Sequence, residues 1–218
     1  MWKNLSDFFG KIADLVAPKR KDYALVQSLT AEEIIDIGKA PEVDGADWIH
    51  PLFPYRDNRI RAIIWELKYK ENTLPLEIIG KLLFEEIIAL VSDIALFDTD
   101  AEFLLIPIPI SPQRRSERGY NQSEYIAKAV LENDLAHTLL YAPQWFSKIK
   151  DTQSQSHSQS RHERMENLTG CFEADPRVEN KYVILIDDVV TTSSTLSEAR
   201  KTLLNAGAKD IFAFTIAH

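Results

Sequence analysis

Apolar positions along the chain fall into two alternating patterns. The first is the short unbroken run. Tyr182–Ile186 is five apolar residues in succession, and Ile211–Ile216 is a similar run. Glu102–Ile110 is a third, with Pro107 and Pro109 at alternate positions. Such runs read as strands buried on both faces, as in a parallel sheet. Proline cannot donate a ladder hydrogen bond, so the two prolines mark where that strand leaves the sheet. Leu139–Lys150 is read as a further strand, and Trp48–Phe53, inside a Pro/Asp/Gly-bearing loop over 39–58, as a possible edge strand.

The second pattern is the helical stripe. Trp2, Leu5, Phe8, Phe9, Ile12, Leu15 and Val16 define an amphipathic helix over 1–17, which must bury its face on its own domain, a partner or a dimer mate. Pro18-Lys19-Arg20-Lys21 is a basic break, and Thr30-Ala31-Glu32-Glu33 is a capping box that starts a helix ending near Gly38. Ile60, Ile63, Ile64 and Leu67 form another stripe. Leu74–Leu96 is apolar over so wide a face that it must pack on the sheet, with a break expected near Ser92-Asp93. A helix is expected from near Ser123 to about Glu132, and another carrying Leu196, Ala199, Leu203 and Leu204 on one face, stopped by Gly207. Strands alternating with helices predict an α/β protein built on a mainly parallel sheet with flanking helices. A helical extension over 1–50 precedes the main domain, 51–218.

Composition narrows the class. Apolar residues make up 45% of the 218, enough for a sizeable core, and no run approaches the length of a membrane span. No secretory pattern is visible, so a cytoplasmic location is expected. A lone cysteine, Cys171, excludes a disulfide framework or a cysteine-rich zinc site within one chain. The net charge of −8 argues against a general nucleic-acid coat and leaves room for a local basic patch. Residues 151–162 are polar and low in complexity, a surface loop. Its His157 and His162 lack acidic or cysteine partners at ligand spacing, which disfavours a metal site there.

The chemistry concentrates after the Tyr182–Ile186 run. Asp187-Asp188 is followed by Val189-Val190 and then by five hydroxyl residues, Thr191, Thr192, Ser193, Ser194 and Thr195, leading into a helix. Ligands of open α/β sheets sit beyond the carboxyl ends of the strands. A helix N-terminus offers unpaired N–H groups and the positive end of its dipole. With five hydroxyls added, this is a cradle for a phosphate monoester. Two carboxylates beside it cannot attract the phosphate, but they can accept hydrogen bonds from neighbouring sugar hydroxyls. A phosphate next to a diol describes a ribose 5-phosphate. The plainer alternative is an acidic turn and a Ser/Thr-capped helix.

A second cationic stretch follows the proline-bearing strand. Arg114, Arg115 and Arg118 precede Gly119-Tyr120-Asn121-Gln122. Alone it reads as a solvated basic loop. Beside a ribose-phosphate site the arginines become candidates for a second anion, a pyrophosphate, or for a nucleic-acid backbone. Tyr120 and Tyr125 are the aromatics near enough to stack on bases.

Asp187-Asp188-Val189-Val190-Thr191-Thr192-Ser193-Ser194-Thr195 resembles the 5-phosphoribosyl 1-pyrophosphate (PRPP) signature of type I phosphoribosyltransferases, with Ser193 where glycine is usual. Taken with Tyr55–Tyr69, Pro107-Ile108-Pro109-Ile110-Ser111 … Arg118-Gly119-Tyr120-Asn121-Gln122 and Gln155–Phe172, it is similar to the ComF family of competence-associated phosphoribosyltransferase-like proteins, over roughly 50–218. That resemblance implies a type I phosphoribosyltransferase-like fold, with PRPP bound together with Mg²⁺. Asp187 and Asp188 would hold the ribose hydroxyls, and Thr191–Thr195 the 5-phosphate. Arg118, Asn121, Arg164 and Asn167 would lie on the functional face. It further implies a role in DNA uptake, either by phosphoribosyl transfer to an unidentified acceptor or as a catalytically silent PRPP sensor that engages single-stranded DNA or a competence helicase. Many relatives begin with a four-cysteine zinc module. Those cysteines are missing here, so zinc is not expected.

Overall fold

The computed structural model describes residues 21–67, 74–151 and 169–218. The stretch 1–17, most of the polar 151–162 stretch, and Arg164 and Asn167 lie outside the described residues. The strands are β1 (Ile49–Phe53), β2 (Phe103–Pro107), β3 (Leu139–Tyr141), β4 (Phe146–Lys148), β5 (Phe172–Ala174), β6 (Tyr182–Val189) and β7 (Asp210–Ala217). The helices are α1 (Lys21–Ser28), α2 (Ala31–Ile35), α3 (Asn58–Glu66), α4 (Leu74–Ala95), α5 (Pro112–Arg118), α6 (Gln122–Leu131) and α7 (Ser194–Asn205).

Five strands form one sheet in the order β1-β7-β6-β2-β3, and every neighbouring pair is parallel. The expected mainly parallel sheet with flanking helices is therefore present. Its central strands are apolar throughout because both faces are covered. Phe103, Leu105, Ile184 and Ile186 pack into one layer with Ile34, Ile63, Leu83, Ile87, Ile126 and Val130 from helices. Leu104, Ile106, Val183 and Leu185 pack into the other, with Leu196, Ala199 and Leu203 of α7 and Phe146 and Phe172 of a two-stranded antiparallel sheet, β4-β5. Each fully buried Leu, Ile or Phe contributes about 1.5–3 kcal/mol of transfer free energy.

Several elements differ from the sequence reading. Leu74–Ala95 is one unbroken helix, and Ser92 Oγ donates to Ile88 O at 2.7 Å within it, which absorbs the polar side chain without breaking the ladder. The single strand expected over 139–150 is two strands in different sheets, separated by a 3₁₀ turn at Pro143–Trp145. Proline fixes the backbone there and prevents a continuous ladder. The arginine-bearing stretch is helical, α5, started by Ser111 as N-cap and Pro112 in the first turn. Leu204 is 39% exposed rather than on the buried stripe of α7. The capping box forms as expected, with Thr30 Oγ1 accepting from Glu33 N at 3.2 Å and Glu33 Oε2 accepting from Thr30 N at 2.8 Å. Among the described residues no helix is long and apolar enough to cross a membrane.

The topology positions the site. From β2 the chain moves outward through α6 to β3, whereas from β6 it moves the other way through α7 to β7. The adjacent strands β2 and β6 thus form the switch point of the sheet, where the loops at their carboxyl ends diverge and leave a crevice. α4 and α6 cover one face of this junction in close contact. A Cβ on Gly80 would lie 2.6 Å from the carbonyl carbon and oxygen of Ala129, which are backbone atoms that cannot swing aside. Gly80→Ala is expected to lower stability by roughly 2–3 kcal/mol through overpacking, read as a shift in the urea unfolding midpoint. An unchanged midpoint would mean that the two helices separate without cost.

Candidate functional site

The acidic pair lies inside a strand rather than after one. β6 continues to Val189 because β7 runs on beside it, pairing Asp187 with Thr215 and Val189 with Ala217. Asp187 is half-buried and accepts two hydrogen bonds, from Ser123 Oγ at 2.9 Å and from Asp188 N at 3.0 Å. Asp188 Oδ1 accepts from Val189 N at 2.8 Å. Burial pushes the Asp187 carboxyl up to about 8, and the neighbouring Asp188 charge adds to the effect. At neutral pH the pair therefore keeps a proton, and it can both donate to and accept from a diol.

The hydroxyl run forms the turn into α7. Ser193 occupies the left-handed region (φ 52°, ψ −3°), where glycine is favoured, and it makes no side-chain cap to the helix. Its Oγ instead donates to Thr192 O at 2.7 Å. Thr192 Oγ1 and Ser194 Oγ share a bond at 3.1 Å. The plain capping role open to this Ser/Thr run is thus not the one Ser193 takes. Residues 187 and 189–196 wrap a small concavity of about 40 Å³ at the positive end of the 12-residue helix.

Across the crevice stands the loop after β2. Ile108 N donates to Ile186 O at 2.8 Å. Ser111 is fully buried; its Oγ donates to Asp151 Oδ1 at 2.7 Å and accepts from Arg114 N at 3.3 Å. Asn121 caps α6, accepting from Ser123 N at 3.2 Å while its Nδ2 donates to Ile108 O at 2.9 Å. With 2% of its surface exposed, Asn121 holds Ser123 and the loop in place instead of presenting its amide to the crevice. Arg115 is likewise committed, forked onto Glu124 at 2.6 and 3.0 Å, a pair that fastens α5 to α6. Of the other expected cations, Arg114 is half-buried in the first turn of α5, beside Ser111. The side chain of Arg118, and Arg164 and Asn167 entirely, lie outside the described residues. Tyr120 and Tyr125 pack on each other, with ring centroids 5.6 Å apart at 58°.

Ser123 was not singled out in the sequence. It lies 64 residues from Asp187, and only the crossing of α6 over β6 brings the two together. Asx-type capping by Asn121 was the one local signal that could have pointed to it.

No family model matches the chain. Among curated proteins, it is 27% identical over 154 residues to the DNA utilization protein YhgH of Salmonella typhimurium, covering 70% of this chain and 64% of that protein. It is 32% identical over 121 residues to competence protein ComFC of Bacillus subtilis, covering 54% of this chain and 45% of that protein. With ComFC of Streptococcus pneumoniae it shares 33% identity over 115 residues, 53% of this chain and 48% of that protein. The chain thus spans about half to two-thirds of the length of these relatives. Their names support a ComF-family assignment. Among solved structures, the glutamine PRPP amidotransferase from B. subtilis, complexed with ADP and GMP, aligns with 70% of this chain and 30% of that one, at 17% identity and a TM-score of 0.41.

Two outcomes follow from the site's geometry. A carboxyl whose folded pKa is raised contributes stability that is full below its unfolded pKa of about 3.9 and is lost as pH rises toward 8. Asp187→Asn, which never ionises, should match the wild type near pH 4 and become progressively more stable than it as pH rises toward 8–9, measured by thermal melts across pH. Parallel melting curves at all pH values would remove the buried proton. Ser193→Gly should stabilise the fold by about 0.5 kcal/mol, because relief of the left-handed backbone outweighs glycine's extra unfolded-state entropy. A lower urea midpoint would show that Ser193 is held without strain.

Proposed function

We propose that this chain, whose relatives support a ComF-family assignment, binds PRPP in the crevice between β2 and β6 and acts as a phosphoribosyltransferase of type I character in DNA uptake, with an acceptor yet to be identified. The observation that carries this reading is the strand-borne Asp187-Asp188 pair set directly before a hydroxyl-rich helix N-terminus at the switch point of a parallel sheet. Thr191, Thr192, Ser193, Ser194 and Thr195 receive the 5-phosphate through hydroxyls and first-turn N–H groups. Asp187 and Asp188 hold the two ribose hydroxyls. Negative charge on the pair would stabilise the ribose as the anomeric carbon gains oxocarbenium character. Arg114 faces the departing pyrophosphate.

Mg²⁺ would arrive on the pyrophosphate oxygens of PRPP and keep much of its water, as that ion prefers. Bound there, it would supply charge neutralisation of the leaving pyrophosphate. The donor set at hand, two carboxyl groups with a shared proton and five hydroxyls, suits such a substrate-borne ion better than a tightly caged one. The setting that goes with this ligand is the cytoplasm.

A second reading keeps the ligand site but not the turnover. The relatives are named for DNA utilization and competence, and α5 carries its arginines beside Tyr120 and Tyr125. In that reading the protein senses PRPP while α5 engages single-stranded DNA or a competence helicase.

Calorimetric titration of PRPP with Mg²⁺ tests both. The wild type should bind. The Asp187→Asn/Asp188→Asn pair should weaken binding by roughly 100-fold, the loss of hydrogen bonds to a carboxyl pair that shares one charge. Equal affinity in the double variant would sink the ribose assignment. Binding without pyrophosphate release in a screen of acceptors would favour the sensor.

A further inference from the structure

We infer that His218, the residue that follows β7, is a positioning residue for the 5-phosphate: its ring fixes the peptide plane from which the hydroxyl-bearing turn starts. The inference rests on the PRPP reading of the Asp187–Thr195 turn and adds to it a residue that lies outside the motif.

The turn leaves β6 at Val190, a buried residue held on both its backbone groups by the end of β7. Val190 N donates to Ala217 O at 3.0 Å, and Val190 O lies 3.1 Å from His218 Nδ1. A carbonyl oxygen only accepts, so Nδ1 carries the proton in this contact. Neutral imidazole in that tautomer and imidazolium both make the bond. His218 is itself anchored. Its N donates to Phe53 O at 3.1 Å, and its O accepts from Tyr55 N at 2.8 Å. The backbone that bears the ring is thus tied to the end of β1 and to the residues just beyond it, and the ring reaches Val190 from a fixed base.

A trans peptide is planar, and its C=O and N–H point to opposite sides. Holding Val190 O toward β7 therefore turns the Thr191 N–H away from β7. That N–H has no hydrogen-bond partner among the described residues, so it is available to an anion. The rung from Val190 N to Ala217 O does not fix this plane, because that N–H belongs to the preceding peptide. The next backbone restraint comes only at Ser193, whose O accepts from Ser197 N at 2.8 Å as α7 begins. Between the two, Thr191 and Thr192 make no backbone–backbone hydrogen bond among the described residues. Without the ring, the Val190 carbonyl loses its donor and the peptide is free to turn over, carrying the Thr191 N–H with it. A purely structural role, closing the end of β7 on β1, is met by the His218 backbone and would not depend on the ring's donor.

That difference gives the test. PRPP–Mg²⁺ and ribose 5-phosphate share the 5-phosphate, so both should respond, each titrated by calorimetry. His218→Leu, which fills similar space without a donor, should weaken both by about ten-fold, the worth of one hydrogen bond to a charged group. His218→Asn places an amide N–H where Nδ1 stands and should recover most of the affinity. Thermal melts establish that each variant is folded. His218→Gln, whose amide lies one carbon further out, replaces the Leu variant if that one is not. Wild-type affinity in the variant without the donor, equal losses in it and in His218→Asn, or a loss confined to PRPP would overturn the His218 inference while leaving the PRPP reading intact. Failure of the wild type to bind either ligand would overturn both.

Discussion

The last hydrogen bond between β2 and β6 governs the rest of the molecule. Ile108 N donates to Ile186 O, and beyond that rung β2 turns away while β6 continues to Val189 with β7 alone beside it. The prolines at 107 and 109 contribute in a particular way. Successive residues of a strand point their N–H groups to opposite neighbours, so Ile108 serves β6 while Pro107 and Pro109 withhold donors from the β3 side. β3 accordingly pairs only as far as Leu105, opposite Tyr141. One central strand therefore ends early, its neighbour runs on, and the notch between them exposes the two residues that follow Ile186. Those residues are Asp187 and Asp188.

The placement of two carboxyl groups in such a notch has an electrostatic consequence. Water reaches them incompletely, and two like charges on adjacent residues oppose each other, so the pair retains a proton that isolated aspartates would lose. Ser123, at the start of α6, donates to this pair and lies within a framework of committed side chains: Asn121 clamps Ile108, and Arg115 grips Glu124. The site is thus built from two kinds of polar residue. Some are used up in holding the loop after β2 against the end of β6. Others, the hydroxyls of 191–195 among them, face the small concavity ahead of α7. Polar residues at a crevice are not all ligand contacts, and bond geometry separates the groups.

Much of this was legible in the chain. A run of five apolar residues has one stable solution in a soluble α/β protein, a strand covered on both faces, so β6, β7 and β2 were readable without any partner. The capping box at Thr30–Glu33 and the Gly207 stop were readable because capping is decided within a few residues. The Asp-Asp and hydroxyl order was readable because its chemistry sits in consecutive residues. The errors were also physical. The piece over 139–150 carried enough aliphatic and aromatic residues to pass for one strand, and whether its halves share a sheet is decided by neighbours far away in sequence. Helix α5 was missed because a seven-residue polar helix has no apolar stripe to announce it.

What the sequence by itself determined was the set of local decisions: which segments are apolar enough to be central strands, where helices start and stop, and that acids and hydroxyls follow one such strand in order. Only the tertiary structure decided which strands are neighbours, that β6 outlasts β2, that Ser123 reaches Asp187, and that Arg115 faces Glu124. The reason is range. Capping, periodicity and backbone propensity act within a few residues, whereas the pairing of residues 64 positions apart is fixed only when the whole sheet closes its two apolar faces.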